Sequence, residues 1–209
     1  LSGVSPKKGK VTVLPTETTI KSLERSLDVF SCFSSASTEL GVTEIADKLS
    51  MNKSTVYNTL ATFSDCGFLV KNPVSNKYYP ALSILKLAHS ALIHSGIKEI
   101  FTPYLLTLMQ RIRKVCSHVI LENHSLLYTL TLSPEGYPQE EGYPGETAPL
   151  YCTSAGKVFL AYMKDDERNE ILSQPMVSFT SLTMTSKDQI LDDLKTIRSQ
   201  GYAVDNMEH

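Results

Sequence analysis

The chain has 209 residues, 42% of them hydrophobic and 20% charged, and a net charge of −2. That length supports one or two domains with cores of their own, the composition excludes a disordered or fibrous chain, and no apolar run reaches the roughly 18 to 20 residues of a membrane helix. The charge is uneven: residues 1–90 carry ten Lys/Arg against seven Asp/Glu, and residues 91–209 ten against fifteen, which fits a nucleic-acid partner at the N-terminal end only.

Residues 1–18 mix Lys, Gly, Pro, Ser and Thr without periodicity and read as a flexible arm, with no signal-peptide core or cleavage site. Ser22 opens a first helix that sets Leu23, Leu27 and Phe30 on one face. Arg25 points elsewhere, toward a phosphate or simply toward solvent. Gly41 ends the connection, and Thr43 is the expected N-cap of a second helix over 44–50. Met51 and Asn52 form a tight turn. Asn52 is placed to cap a third helix from Lys53 to Asp65, whose end Gly67 marks. With Val56, Leu60 and Phe63 turned to the core, Ser54, Asn58 and Ala61 face away, and Lys53 and Tyr57 lie on the flank. Phe68 to Val70 and Tyr78 to Tyr79 read as two strands around the turn Asn72 to Asn76. Residues 19–81 thus form a helix-turn-helix followed by a wing, a DNA-reading arrangement. Small polar groups near the third helix's N-terminus meet base edges, and Lys71, Asn76 and Lys77 are candidates for the phosphate backbone.

Leu82, Leu85 and Leu92 recur at helical spacing, so residues 82–96 are a linker helix and a dimer seam. Gly96 breaks it. A helix from Ile97 to Val115 opens a second domain, 97–209, and Pro103 belongs in its first turn or bends it. Val119, Leu121, Leu126, Tyr128, Leu130 and Leu132 alternate around Glu122–Ser125 as a hairpin. The loop from Ser133 to Pro149 carries prolines, glycines and tyrosines. Such a loop inside a compact domain is a place for function, and Tyr143 is a candidate effector contact. Thr153, Ser154, Ala155 and Gly156 then lead into an apolar helix. Free N–H groups behind small side chains suit a carboxylate, although a close-packed strand-to-helix turn explains the same residues. Asp165 to Ser173 is a short charged helix. Ser186 to Gln189 is a capping box opening a helix with Ile190, Leu191, Leu194 and Ile197 inward and Gly201 at its end. Tyr202 to Val204 starts a strand with nothing after it to complete its sheet, so a further C-terminal segment is expected.

The stretches SLERSLDVFSCF, VTEIADKLSMNKSTVYNTLATFSDCGFLV, NKYYPALSILKLA, PLYCTSAGKVFLAYM and GYAVDNMEH cover most of residues 20–209. In this order they resemble the IclR-type bacterial transcription regulators. The resemblance implies an α+β fold: a winged helix-turn-helix, a linker helix, and an effector-binding domain of GAF or PAS type, an antiparallel sheet flanked by helices. It implies homodimers or dimers of dimers, double-stranded operator DNA as one partner, and a small carboxylate or aromatic metabolite as effector. Ser54, Thr55, Tyr57 and Asn58 match recognition-helix positions. Thr153, Ser154 and Ala155 match the loop that wraps the effector, and Asp205 an acidic effector contact. Three departures stand out. Asn58 takes the place of a common Arg, and Asn pairs best with adenine where Arg prefers guanine. Ala81 replaces a common Gly after the wing, and the family continues beyond the position of His209.

Enzyme and redox-sensor readings have less behind them. His118, His124, Cys116 and Cys152 are raw material for nucleophilic or metal chemistry, yet H-E-x-x-H and G-x-S-x-G are absent. The four cysteines, Cys32, Cys66, Cys116 and Cys152, show no C-x-x-C pair, and three fall in apolar patterns as reduced, packed thiols. The expectation is a cytoplasmic transcription regulator, repressor or activator. It is no enzyme, and uses no cofactor, metal or membrane. Two recognition helices read a palindromic operator, and the effector shifts the arrangement of the dimer.

Overall fold

Apolar residues at helical spacing, then at strand spacing, build the first unit. The computed structural model describes residues 20–34, 39–137 and 142–209, and the arm expected over 1–18 lies outside them. Helices α1 (Lys21–Ser31), α2 (Val42–Leu49) and α3 (Lys53–Asp65) precede the strands β1 (Leu69–Lys71) and β2 (Tyr78–Pro80). Val29, Phe33, Ile45, Val56, Leu60, Leu69 and Tyr78 are buried together. Phe30, Phe63 and Phe68 pack beside them, with ring centroids 4.8 Å (Phe30–Phe63) and 6.0 Å (Phe30–Phe68) apart, spacings at which aromatic pairs attract. The hairpin is antiparallel, with Leu69 opposite Pro80 and Lys71 opposite Tyr78. Leu40 lies along its outer side and exchanges both backbone hydrogen bonds with Tyr78, at 2.8 and 3.0 Å.

Three local expectations change. The inward face of α1 is set by Val29, with Cys32 and Phe33 just after it, while Leu23 and Leu27 are more than half exposed, because the helix packs through its C-terminal end around Phe30. Helix α2 starts at Val42, so Gly41 occupies the N-cap position and Thr43 lies in the first turn. Its leading N–H is satisfied by Glu44, whose Oε2 accepts from Gly41 at 2.6 Å. Asn52 stands at the N-cap of α3 but its side chain makes no capping bond. The turn between these helices is made by Ser50 in the left-handed region (φ 53), not by a glycine.

The chain divides into two compact units between Leu85 and Lys86, in the first turn of α4 (Ile84–Ser95). Helix α5 (Ile97–Ile112) continues through Pro103, which lies past the first turn, and ends three residues earlier than expected with Arg113 left-handed. β3 (Cys116–Glu122) and β4 (Ser125–Leu132) pair antiparallel. Positive φ at Asn123 and His124 gives the turn that twists with its strands. The register shifts between His118 and Val119, leaving Thr129 as a bulge. A two-residue strand, β5 (Thr147–Ala148), adds to β4, so the order is β3-β4-β5. Helices α6 (Ser154–Tyr162), α7 (Asp165–Ile171) and α8 (Lys187–Gln200) follow. Leu126, Leu150, Leu160, Ala161, Ile190, Leu194 and Ile197 form the core between sheet and helices.

Ser186 takes the N-cap position of α8 without a side-chain bond, so the expected capping box does not close. Tyr202 to Val204, expected to start a strand, is in none of the strands. No helix among the described residues is long and apolar enough to cross a membrane.

Gly156 is the most closely approached of the second unit's described glycines. A Cβ built on it would lie 2.4 Å from both the Cα and the carbonyl oxygen of Leu150. Gly156→Ala is therefore expected to destabilise the fold by about 2–3 kcal/mol, the usual cost of overpacking against atoms that cannot move aside, read as a lower midpoint in urea.

Candidate nucleic-acid interface and effector site

The buried residues Val56 and Leu60 fix the rotation of α3, so its remaining faces are set. Lys53, Ser54, Thr55, Tyr57 and Asn58 are all exposed, and Ala61 is half-buried. Because Asn52 does not cap the helix, the first-turn N–H groups of α3 have no side-chain partner from it; such groups bind anions. Arg25 of α1 borders a hollow of about 440 Å³ shared with Asn52 and Thr55 at the start of α3. Asn58 borders a second hollow, about 320 Å³, with Leu23 and Ser26 of α1 and Thr62 and Phe63 of its own helix. Thr43 is exposed on the first turn of α2.

The wing is held from outside its own sequence. Asn72 Oδ1 accepts from the N–H groups of Val74 (2.8 Å) and Ser75 (3.3 Å), an Asx turn, and Asn76 supplies the left-handed residue (φ 56). Asn72 Nδ2 donates to Glu39 Oε1 and Ser75 Oγ to Glu39 Oε2, each at 2.6 Å. Lys77 Nζ pairs with Glu44 Oε1 at 2.8 Å, while the Lys71 ammonium lies 5.9 Å from the centre of the Tyr78 ring. Hydrogen bonds from Asn72 and then Ser75 hold the Glu39 carboxyl below the usual carboxylate range. Lys77 and then the Gly41 N–H do the same for Glu44. Of the three wing candidates, only Asn76 thus has no charged or ring partner recorded. Glu39 escaped sequence reasoning because nothing local marks it; Glu44 had a signal, its position three residues after Gly41, where a capping carboxylate sits.

In the second unit Thr153 occupies the N-cap of α6 and is buried, but its hydroxyl donates to the Pro149 carbonyl at 2.6 Å instead of capping. Ser154 and Ala155 form the first turn, half-buried. Lys157, one turn further, is 2% exposed. Its Nζ lies 2.7 Å from Glu208 Oε1 and 3.3 Å from Asp193 Oδ2 of α8. Asp205 Oδ1 accepts from the Glu208 N–H at 2.8 Å. Thr180 and Thr183 donate to the Met207 and Glu208 carbonyls, both at 2.6 Å. Burial first, then the charges of Asp205 and Glu208, push the Cys152 thiol up to about 11. The Asp205 charge thus acts on Cys152, just before the α6 turn. Tyr143 is 53% exposed on a turn closed by Glu146 and beside Gly142, whose carbonyl accepts from Thr131 of β4. Lys157 and Glu208 were missed, though a Lys three residues before Leu160, on the inward face, signals a buried partner.

The histidines and cysteines make no reactive set. His118 Nδ1 lies 2.7 Å from Thr129 Oγ1, which itself donates to the His118 carbonyl, so the ring nitrogen is the donor. The ring sits 3.9 Å from that of Phe101, and burial pushes its pKa down. No group of His, Cys, Asp and Glu among the described residues could hold a metal, and all four cysteines are free.

A winged helix-turn-helix joined to a second unit with a small antiparallel sheet and flanking helices is the build of a DNA-binding regulator. Residues 22–73 match the IclR helix-turn-helix domain, and residues 89–209 match the C-terminal domain of the bacterial transcriptional regulator IclR. The chain belongs to the IclR family of bacterial transcriptional regulators, which are not enzymes. The HTH-type transcriptional regulator XynR of Escherichia coli K12 is 28% identical over 193 residues, which are 91% of this chain and 76% of XynR. An IclR-family regulator of Brucella abortus matches with a TM-score of 0.77 at 25% identity, over 96% of this chain and 76% of that one. An IclR homolog of Microbacterium hydrocarbonoxydans, complexed with 4-hydroxybenzoate, shares the fold with a TM-score of 0.64 at 20% identity, over 88% of this chain and 76% of that one.

Lys157→Met is expected to cost about 3–5 kcal/mol in urea unfolding, because it leaves the buried Glu208 charge without its partner.

Proposed function

We propose that the chain is an effector-responsive regulator acting as a homodimer or dimer of dimers, each α3 reading one half of a palindromic operator. The observation that carries this reading is the exposed polar row Ser54, Thr55 and Asn58 on a helix whose opposite face is fully buried at Val56 and Leu60. Arg25, Thr43 and Lys53 border the row and supply phosphate contacts, Tyr57 flanks it, and Lys71, Asn76 and Lys77 reach the backbone from the wing. Dimerisation is supported by large apolar residues that one copy leaves exposed: Leu85, Leu87 and Ile93 on α4, and Ile100, Tyr104, Leu108 and Ile112 on α5. Apolar surface of this extent marks an interface.

The effector is a small carboxylate or aromatic molecule bound at the α6 turn by Thr153, Ser154, Ala155 and Asp205. Support comes from the turn's half-buried first residues, the approach of Asp205 and, in the same family, the homolog complexed with 4-hydroxybenzoate. Tyr143, on the turn closed by Glu146, is a further contact. Binding acts by population shift: the effector prefers one dimer arrangement and changes the separation of the two α3 helices. Operator half-sites stand about 34 Å apart, one DNA turn, so a small rotation weakens binding.

A gel-shift titration with promoter DNA from the chain's own gene neighbourhood tests the core of this. Binding without sequence preference or salt sensitivity would sink it. Asn58→Ala is expected to weaken specific binding by about 1–3 kcal/mol and random-sequence binding far less; equal losses would show that Asn58 reads no base. Ser154→Leu is expected to abolish stabilisation by small carboxylates and aromatics in a thermal-shift screen while DNA affinity stays unchanged.

A further inference from the structure

We propose that two carboxylates outside the wing set its DNA contact in opposite directions: Glu39 positions the wing tip, and Glu44 withholds Lys77 from phosphate. This rests on the reading of the wing as a backbone contact.

The wing tip is anchored at one point. Both oxygens of Glu39 are engaged, one by Asn72 Nδ2 and one by Ser75 Oγ, at 2.6 Å each. Asn72 uses its other end to hold the turn itself, through the N–H groups of Val74 and Ser75. One amide therefore joins the turn's internal bonds to its external anchor. The anchor is itself fixed, because the next residue, Leu40, pairs with Tyr78 of β2 through both backbone groups. Without Glu39 the tip keeps its Asx turn but loses its tie to the sheet.

Glu44 does something different. One oxygen accepts from the Gly41 N–H and starts α2; the other holds the Lys77 ammonium at 2.8 Å. Both side chains of this pair are about half exposed. Such a pair is weak, and a DNA phosphate competes for the same ammonium. A carboxylate beside a DNA-facing surface also repels phosphate directly. Charge alone therefore predicts that removing either glutamate tightens DNA binding. The geometry predicts tightening for Glu44 only.

The test measures affinity of the full chain for a random-sequence DNA duplex across a salt series, since backbone contacts need no operator. Glu39→Ala, which deletes a negative charge and both acceptors, is expected to weaken binding about fivefold, the scale of one or two lost hydrogen bonds, with an unchanged melting midpoint. Ser75→Ala, which changes no charge, is expected to weaken it about twofold. Glu44→Gln retains an oxygen for Gly41; it is expected to tighten binding and steepen the log–log salt slope by about 0.9, one added phosphate contact. Added to Glu44→Gln, Lys77→Ala is expected to make that slope shallower again by a similar amount. Equal or tighter binding by both Glu39→Ala and Ser75→Ala overturns the positioning role, and Ser75→Ala alone decides if Glu39→Ala lowers the midpoint. An unchanged slope in Glu44→Gln overturns the withholding role. A slope that Lys77→Ala leaves unchanged in the Glu44→Gln background removes the wing contact itself, and this inference with it.

Discussion

The contact of α6 with the Leu150 backbone, open only to a residue without a side chain at 156, is the constraint on which the second unit depends. It draws the helix close enough that Lys157, the next residue, is enclosed. An enclosed ammonium is costly unless paired, and the pair comes from two places, Asp193 of α8 and Glu208 near the end of the chain. Thr180 and Thr183 then fix the backbone of that terminal stretch. Asp205 and Cys152 end up together as a result. Geometry thus passes from one close backbone approach to the placement of every polar group around the proposed effector turn.

In the first unit two cations of the wing are already engaged. The sequence has an excess of three positive charges over residues 1–90. Yet Lys77 is paired with Glu44 and Lys71 lies against Tyr78. The share left to the uncapped N-terminus of α3 and to Arg25 is correspondingly larger. Helix dipole and free N–H groups supply attraction there that no charge count records.

Much of this was legible in the amino-acid order. Helix α3 and the wing follow from a change of period from about 3.6 to 2, bracketed by Gly67 and the Asn72–Asn76 turn. The β3–β4 hairpin follows from clean alternation. The rest depends on partners far away in the chain. The pairing of Leu40 with Tyr78 is a single residue long and leaves no periodic trace, and β5 is two residues. Leu23 and Leu27 have the right spacing for a buried face and fail to bury because the core meets α1 only near Phe30. At the candidate site, Thr153, Ser154 and Ala155 were visible as small residues at a turn, and Asp205 only through the family resemblance. The clamp that joins them, Lys157 with Glu208, spans 51 positions, and local pattern has no reach over that distance.

One thiol has a use that the others lack. Cys66 follows the last residue of α3 and is exposed, whereas Cys32, Cys116 and Cys152 are buried. A maleimide-linked spin label added to the native chain would therefore settle at the end of the recognition helix with no engineered cysteine. In an assembly of two copies, pulsed dipolar spectroscopy between the two labels would read out the helix separation directly, with and without a small molecule present.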